Sequence, residues 1–171
     1  LPLGLVVRRV GPLVSEAFLV MEDLGEDRRA DRVVLQRYAR PLDAAERAQK
    51  RSLVLETARF VSALHAAGVY HADLKAVNLF IREQPGAAPK IVCADYDRVV
   101  FDRSVSERRR IKNLAQLSAS VAVCVSRSDR LRFFREYAGD DPALRARWKE
   151  WFRAVADECG QKIVVRMQPI E

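Results

Sequence analysis

The sequence predicts an α+β fold, mainly helical, with short strands gathered into one β-hairpin. Two observations carry this. Asp43 with Glu46 three residues later is a capping box, and Leu53, Thr57, Phe60, Val61 and Leu64 then recur at helical spacing. A long amphipathic helix is therefore expected from Ala44 to a stop at Gly68. Residues 78–81 and 90–94 are short apolar segments joined by Gln84-Pro85-Gly86-Ala87-Ala88-Pro89, the pattern of two strands linked by a turn.

The remaining elements follow in chain order. Residues 17–21 form an apolar strand candidate that passes into the acidic Glu22-Asp23-Leu24-Gly25. Gly25 and the charged residues 26–31 mark a connection. A short helix is predicted over 32–38, halted by Pro41. Beyond the hairpin, Ser104 and Glu107 read as a second capping box opening a helix to about Val123, with Ile111, Leu114 and Leu117 on one face. A further helix is expected over 129–137. Another starts at Asp141-Pro142, an N-cap followed by proline at the first helical position. Its stripe of Leu144, Trp148, Trp151, Phe152 and Val155 reads as core. The tail over 162–167 is expected to be a short strand or irregular. No internal repeat or low-complexity segment is present.

Composition narrows the class. At 171 residues, 49% apolar and 31% charged, the chain suits one soluble cored domain, and no run approaches the ~18 apolar residues of a membrane span. Residues 1–10 are too short and too interrupted, by Pro2, Gly4, Arg8 and Arg9, to read as a signal peptide. The chain does not begin with Met, and natural sequence is expected upstream of Leu1. Cys93, Cys124 and Cys159 show no Cys-x-x-Cys, and His65 and His71 complete no zinc spacing, so reduced thiols in a cytosolic protein are expected. The net charge of +7 implies acidic company, whether nucleotide phosphates, nucleic acid or an anionic membrane surface. The excess is dense over 103–112, where five basic residues face Glu107 alone. No aromatics interleave with these cations, which argues against nucleic acid.

Chemistry concentrates in Val69-Tyr70-His71-Ala72-Asp73-Leu74-Lys75-Ala76-Val77-Asn78-Leu79-Phe80-Ile81, followed by Ala94-Asp95-Tyr96-Asp97. A hairpin between the two segments folds Asp95 back beside Asn78. The run His-x-Asp-Leu-Lys-x-x-Asn resembles the catalytic loop of the protein-kinase-like superfamily, and Asp-Tyr-Asp stands where that superfamily has Asp-Phe-Gly. Phosphoryl transfer asks a protein mainly for positioning and charge compensation. Asp73 is the candidate base for the attacking hydroxyl, and Lys75 offsets phosphate charge. Asn78 and Asp95 are hard oxygen ligands for Mg²⁺ bridging the nucleotide phosphates. His71 is read as a brace for the loop. Asp97 is either a second metal contact or an anchor for Arg98 or His71.

Within the superfamily, the chain resembles the lipopolysaccharide kinase (Kdo/WaaP) family. The resemblance rests on His71-Ala-Asp-Leu through Asn78-Leu-Phe-Ile, on Asp95-Tyr-Asp97-Arg98, and on Lys112-Asn113-Leu114-Ala115-Gln116-Leu117. Phe18-Leu-Val-Met-Glu22-Asp-Leu24 resembles the strand and hinge between the two kinase lobes, which implies that Met21, Glu22 and Leu24 hold adenine. The likeness covers about residues 13–117. It implies a protein-kinase-like C-terminal lobe over 30–171, with 1–29 the end of the small lobe and hinge. It further implies ATP and Mg²⁺ as cofactors, and transfer of phosphate to a sugar hydroxyl of the lipopolysaccharide inner core (Kdo or heptose). The partner is then a lipid-linked saccharide at an anionic membrane surface, with the protein cytoplasmic and peripheral on the cytoplasmic face of the inner membrane.

The chain departs from the pattern upstream. Only twelve residues precede Leu13, and none is the lysine of a small lobe, so weak or no activity is expected of this segment alone. No Ala-Pro-Glu follows Asp95, unlike conventional protein kinases. Two other readings remain open. One is a superfamily phosphotransferase with a small-molecule or protein acceptor, since aminoglycoside-type enzymes share the Asp…Asn…Asp order. The other is a non-catalytic pseudokinase-type module.

Overall fold

The computed structural model describes residues 2–84, 86–121 and 123–166. Its elements run β1 (Pro2–Val10), β2 (Leu13–Met21), α1 (Ala30–Tyr38), α2 (Ala44–Ala66), β3 (Val69–His71), β4 (Leu79–Arg82), β5 (Lys90–Cys93), β6 (Val99–Phe101), α3 (Glu107–Ser120), α4 (Arg127–Ala138), α5 (Pro142–Ala146) and α6 (Trp148–Arg166). Short 3-10 turns occupy Glu26–Arg28, Ala76–Asn78 and Tyr96–Arg98. Among the described residues the strands form three separate antiparallel pairs, β1 with β2, β3 with β6 and β4 with β5.

The first strand of the sequence reading is longer than expected. It extends back to Leu13 and pairs with β1, which the reading missed, through a turn at Gly11 with φ of 61°. Side chains of this pair are exposed on both faces, so the alternation that marks a half-buried strand is missing from its sequence. The helix predicted from residue 32 begins at Ala30.

Helix α2 starts where the capping box placed it. The Asp43 carboxylate accepts from the Glu46 backbone at 2.8 Å, and the Glu46 carboxylate accepts from the Asp43 backbone at 3.0 Å. Leu53, Ala58, Val61 and His65 are its buried face, with Thr57 and Leu64 half-buried. Gly68 ends it with φ of 75°. Its amide hydrogen bonds to the His65 carbonyl and its own carbonyl accepts from Asp102 at 2.8 Å, which seats β6 against β3. A Cβ on Gly68 would lie 1.9 Å from the Asp102 carbonyl oxygen.

The hairpin reading holds, with Leu79 opposite Cys93 and Ile81 opposite Ile91; Pro85 of its turn lies outside the described residues. Leu79, Ile81, Ile91 and Cys93 pack into one core with Val61, Leu114, Phe134 and Trp151. Burial pushes the Cys93 thiol up to about 12, as befits a small apolar residue.

Four helix boundaries need correction. Ser106, not Ser104, occupies the N-cap position of α3, and it makes no side-chain cap bond. The Glu107 carboxylate is held instead by Arg147, with two bonds of 3.0 Å. The helix ends at Ser120, short of Val123, and the Ser120 hydroxyl accepts from the Ala76 backbone at 2.8 Å. Helix α4 begins at Arg127 behind its own capping box, Ser126 with Asp129, where an Asp replaces the usual Glu. The helix opened by Asp141-Pro142 breaks at Arg147 into α5 and α6. Its stripe is core as expected: Leu144 and Trp151 are buried, and Trp148, Phe152 and Val155 pack against them. Residues 162–166 continue α6 rather than forming a strand, while Met167 lies outside the described residues.

A buried polar chain ties α2, α3 and α4 to the loop after β3. The Tyr137 hydroxyl donates to His65 Nδ1 at 2.8 Å, and His65 Nε2 donates to Asn113 Oδ1 at 3.1 Å. Asn113 Nδ2 donates to the His71 carbonyl at 2.7 Å and to Gln116 Oε1 at 3.0 Å. Gln116 Nε2 donates to the Ala72 carbonyl at 2.7 Å. Among the described residues no buried side-chain nitrogen or oxygen lacks a partner.

Two outcomes follow from these contacts. Gly68→Ala combines a left-handed backbone with a clash on Asp102, so it destabilises by about 2 kcal/mol or more, read as a fall in melting temperature of roughly 5 °C. His65 is held neutral, its pKa lowered by burial to about 4. The unfolded chain therefore takes up a proton first as pH falls below about 6.5, and the stability from His65 is lost between there and pH 4. Chemical denaturation at pH 7.5 and 4.5 is expected to show a loss of about 2–3 kcal/mol from this group, absent in His65→Gln.

Candidate active site

The loop between β3 and β4 is fixed by alternation. Leu74 is fully buried in the core, which puts the flanking Asp73 and Lys75 on the accessible side. There the Lys75 ammonium rests on the Asp73 carboxylate, 2.7 Å from Oδ1 and 3.0 Å from Oδ2. His71 is buried and uses both ring nitrogens. Nε2 donates to the Ala94 carbonyl at 3.1 Å, and Nδ1 accepts from the Asp73 backbone at 3.2 Å. Both bonds hold the ring against the loop, as a brace would.

Asn78 closes the loop at the other end. Its Nδ2 donates to the Asp73 carbonyl at 3.0 Å and lies 3.4 Å from Asp95 Oδ2, which leaves Oδ1 as an acceptor for a cation. Its own carbonyl accepts from Ala94 at 2.8 Å, so the two hairpin strands bring Asp95 beside it. Asp95 has a left-handed backbone, φ 64° and ψ 65°, the single positive φ among described residues other than glycine. Tyr96 steadies this turn by donating its hydroxyl to the Cys93 carbonyl.

The Asp95 carboxyl is held above the usual carboxylate range. The first cause is its hydrogen bond with Asp97, followed by burial and by the charge of Asp97. Asp97 thus lies against Asp95. Two adjacent carboxyls and an amide oxygen form an all-oxygen donor set suited to Mg²⁺. Among the described residues no cluster of three or more His, Cys, Asp or Glu could hold a metal alone. Mg²⁺ commonly takes one or two carboxylates and completes its shell with phosphates and water, so this set fits that ion.

The hinge candidates sit at the far end of the same hairpin. Met21 closes β2 and is half-buried, as are Glu22 and Leu24. Glu22 binds Arg82 of β4 at 2.8 Å, a contact that lowers the pKa of its carboxyl. Asp73, Lys75, Asn78 and Asp95 thus share one locus, while Glu22 meets the hairpin at Arg82, the end of β4 away from Asn78.

His65, Asn113, Gln116, Ser120 and Tyr137, which carry this loop from beneath, have no role predicted from the sequence. A signal was present in Asn113 and Gln116, polar residues three apart on the face of α3 that also bears Leu114 and Leu117.

The sequence matches the Lipopolysaccharide kinase (Kdo/WaaP) family over residues 2–137, beyond the span of the motifs, taking in β1 and α4. No curated protein matches significantly. Among solved structures, WaaP in complex with acyl carrier protein is 26% identical, with a TM-score of 0.69 over 92% of this chain. The chain spans 66% of that protein's length. Its mixed helical and short-stranded architecture is accordingly kinase-like. The chain belongs to the lipopolysaccharide kinase (Kdo/WaaP) family.

Proposed function

We propose that the protein is an ATP- and Mg²⁺-dependent kinase that phosphorylates a sugar hydroxyl of the lipopolysaccharide inner core, Kdo or heptose. The observation that supports this best is the convergence of Asp73, Lys75, Asn78 and Asp95. Asp73 receives the proton of the acceptor hydroxyl and aims its oxygen. Lys75, anchored on Asp73, sets a positive charge beside the transferring group. Asn78 Oδ1 and the Asp95 carboxylate hold the metal, with Asp97 as a further oxygen donor. Met21, Glu22 and Leu24 hold the adenine. ATP supplies the phosphoryl group and Mg²⁺ offsets its charge.

The acceptor is lipid-linked, which places the protein peripherally on the cytoplasmic face of the inner membrane. The net charge of +7 supports that placement.

The test is phosphate transfer to inner-core lipopolysaccharide by the full-length protein. Asp73→Asn is expected to lower kcat roughly 100- to 10,000-fold with nucleotide binding retained. Unchanged turnover would remove Asp73 as the base. Asp95→Asn is expected to abolish the Mg²⁺-dependent part of the nucleotide-induced rise in melting temperature, because a ligand stabilises only the state that binds it. Transfer to aminoglycosides or proteins in place of the core sugar would overturn the acceptor, and no nucleotide binding at all would favour a pseudokinase.

A further inference from the structure

Strand β6 follows the candidate metal ligands by a few residues and ends on an apolar side chain with no cover. Phe101 is 79% exposed and Val100 is 38% exposed, although both are strand-forming residues paired to β3. Cations bracket this tip. Arg98 precedes β6, Arg103 follows it, and Arg108 stands in the first turn of α3, all three exposed. The two acids between β6 and the first turn of α3 are engaged elsewhere, Asp102 by Arg109 and Glu107 by Arg147. No ion pair of Arg98, Arg103 or Arg108 occurs among the described residues. An exposed aromatic beside uncompensated cations is the pattern of an interfacial anchor: the ring enters the headgroup region and the guanidinium groups meet anionic lipid.

We propose that the β6 tip, Phe101 with Arg103 and Arg108, docks the protein on an anionic lipid surface. The charge is complementary to such a surface, and the apolar area favours it over a protein partner. Two side chains are too few for the apolar core of a stable protein interface, whereas a bilayer accepts single aromatic anchors. Position adds to this. The Ala72 amide donates to the Arg98 carbonyl at 3.0 Å, so the start of β6 is tied to the residue before Asp73. Phe101 itself pairs opposite Val69, so a surface gripped there lies one short strand, roughly 10 Å, from the start of β6. This placement rests on the proposed lipid-linked acceptor; the docking itself does not.

Co-sedimentation with vesicles of phosphatidylcholine, with and without phosphatidylglycerol, tests it on the full-length protein. Wild type is expected to bind only the anionic vesicles. Phe101→Ser is expected to lower partitioning about tenfold, and Arg103→Glu with Arg108→Glu by more than about fivefold per site, with the remainder lost in salt. Phe101→Trp keeps the aromatic and should bind as wild type. Absence of wild-type binding overturns the proposal. So do Phe101→Ser and the double Arg variant sedimenting like wild type, or binding to an acidic protein with none to vesicles. Phosphorylation of a deacylated, water-soluble acceptor should be equal in wild type and Phe101→Ser. Failure of wild type to phosphorylate that acceptor strikes the kinase reading, while vesicle binding still reports on the β6 tip.

Discussion

The loop that carries Asp73 depends on Asn113. A loop crossing a packed interior presents carbonyls that lose water, and each one left unpaired costs about 1–3 kcal/mol. Asn113 takes the His71 carbonyl and Gln116 takes the Ala72 carbonyl, immediately before the candidate base. Asn113 is itself oriented by His65, and His65 by Tyr137, so three helices set the loop through one hydrogen-bonded series. Every member is satisfied, which is the condition under which a buried polar network fixes a single arrangement. Ser120 then fixes the far side of the loop through the Ala76 amide.

Apolar packing supplies what this network lacks. Leu74 is driven into the core between two polar neighbours, and burial of one leucine contributes roughly 2 kcal/mol. That single anchor decides which side of the loop Asp73 and Lys75 occupy. Gly68 sets the approach of the second strand pair, because only a residue without a side chain admits the Asp102 carbonyl. Local chain chemistry, one apolar anchor and one polar series therefore converge on the same few residues.

Much of this was legible in the sequence where the signal is local. The Asp43/Glu46 box, the Gly68 stop, the hairpin and the adjacency of Asn78 and Asp95 follow from spacing within a few residues. Long-range pairing was not legible. Strands β3 and β6 are only three residues each and owe their existence to each other, across the 27 residues between them. The false box at Ser104 failed because Glu107 prefers a guanidinium forty residues away to its own helix end. At the break between α5 and α6, Arg147 divides its fork between Glu107 and Glu150, contacts no local pattern announces. Nor did the pattern reveal that Asn113 and Gln116 serve the loop, since polar residues on an apolar helix face disclose a need for partners and not their identity.

The turn at Asp95 has a consequence for how the site meets a cation. Most side chains pay about 1 kcal/mol or more for a left-handed backbone, and aspartate tolerates it through its short polar arm. The strain is already present before any ion arrives, so the carboxylate needs no rearrangement of its own chain to engage one. In the proposed metal role, Asp95 would meet a cation with little entropy of ordering, because its backbone is already set. Replacement is correspondingly narrow: asparagine and glycine can keep the backbone path, whereas a β-branched residue would displace the turn as well as delete the ligand.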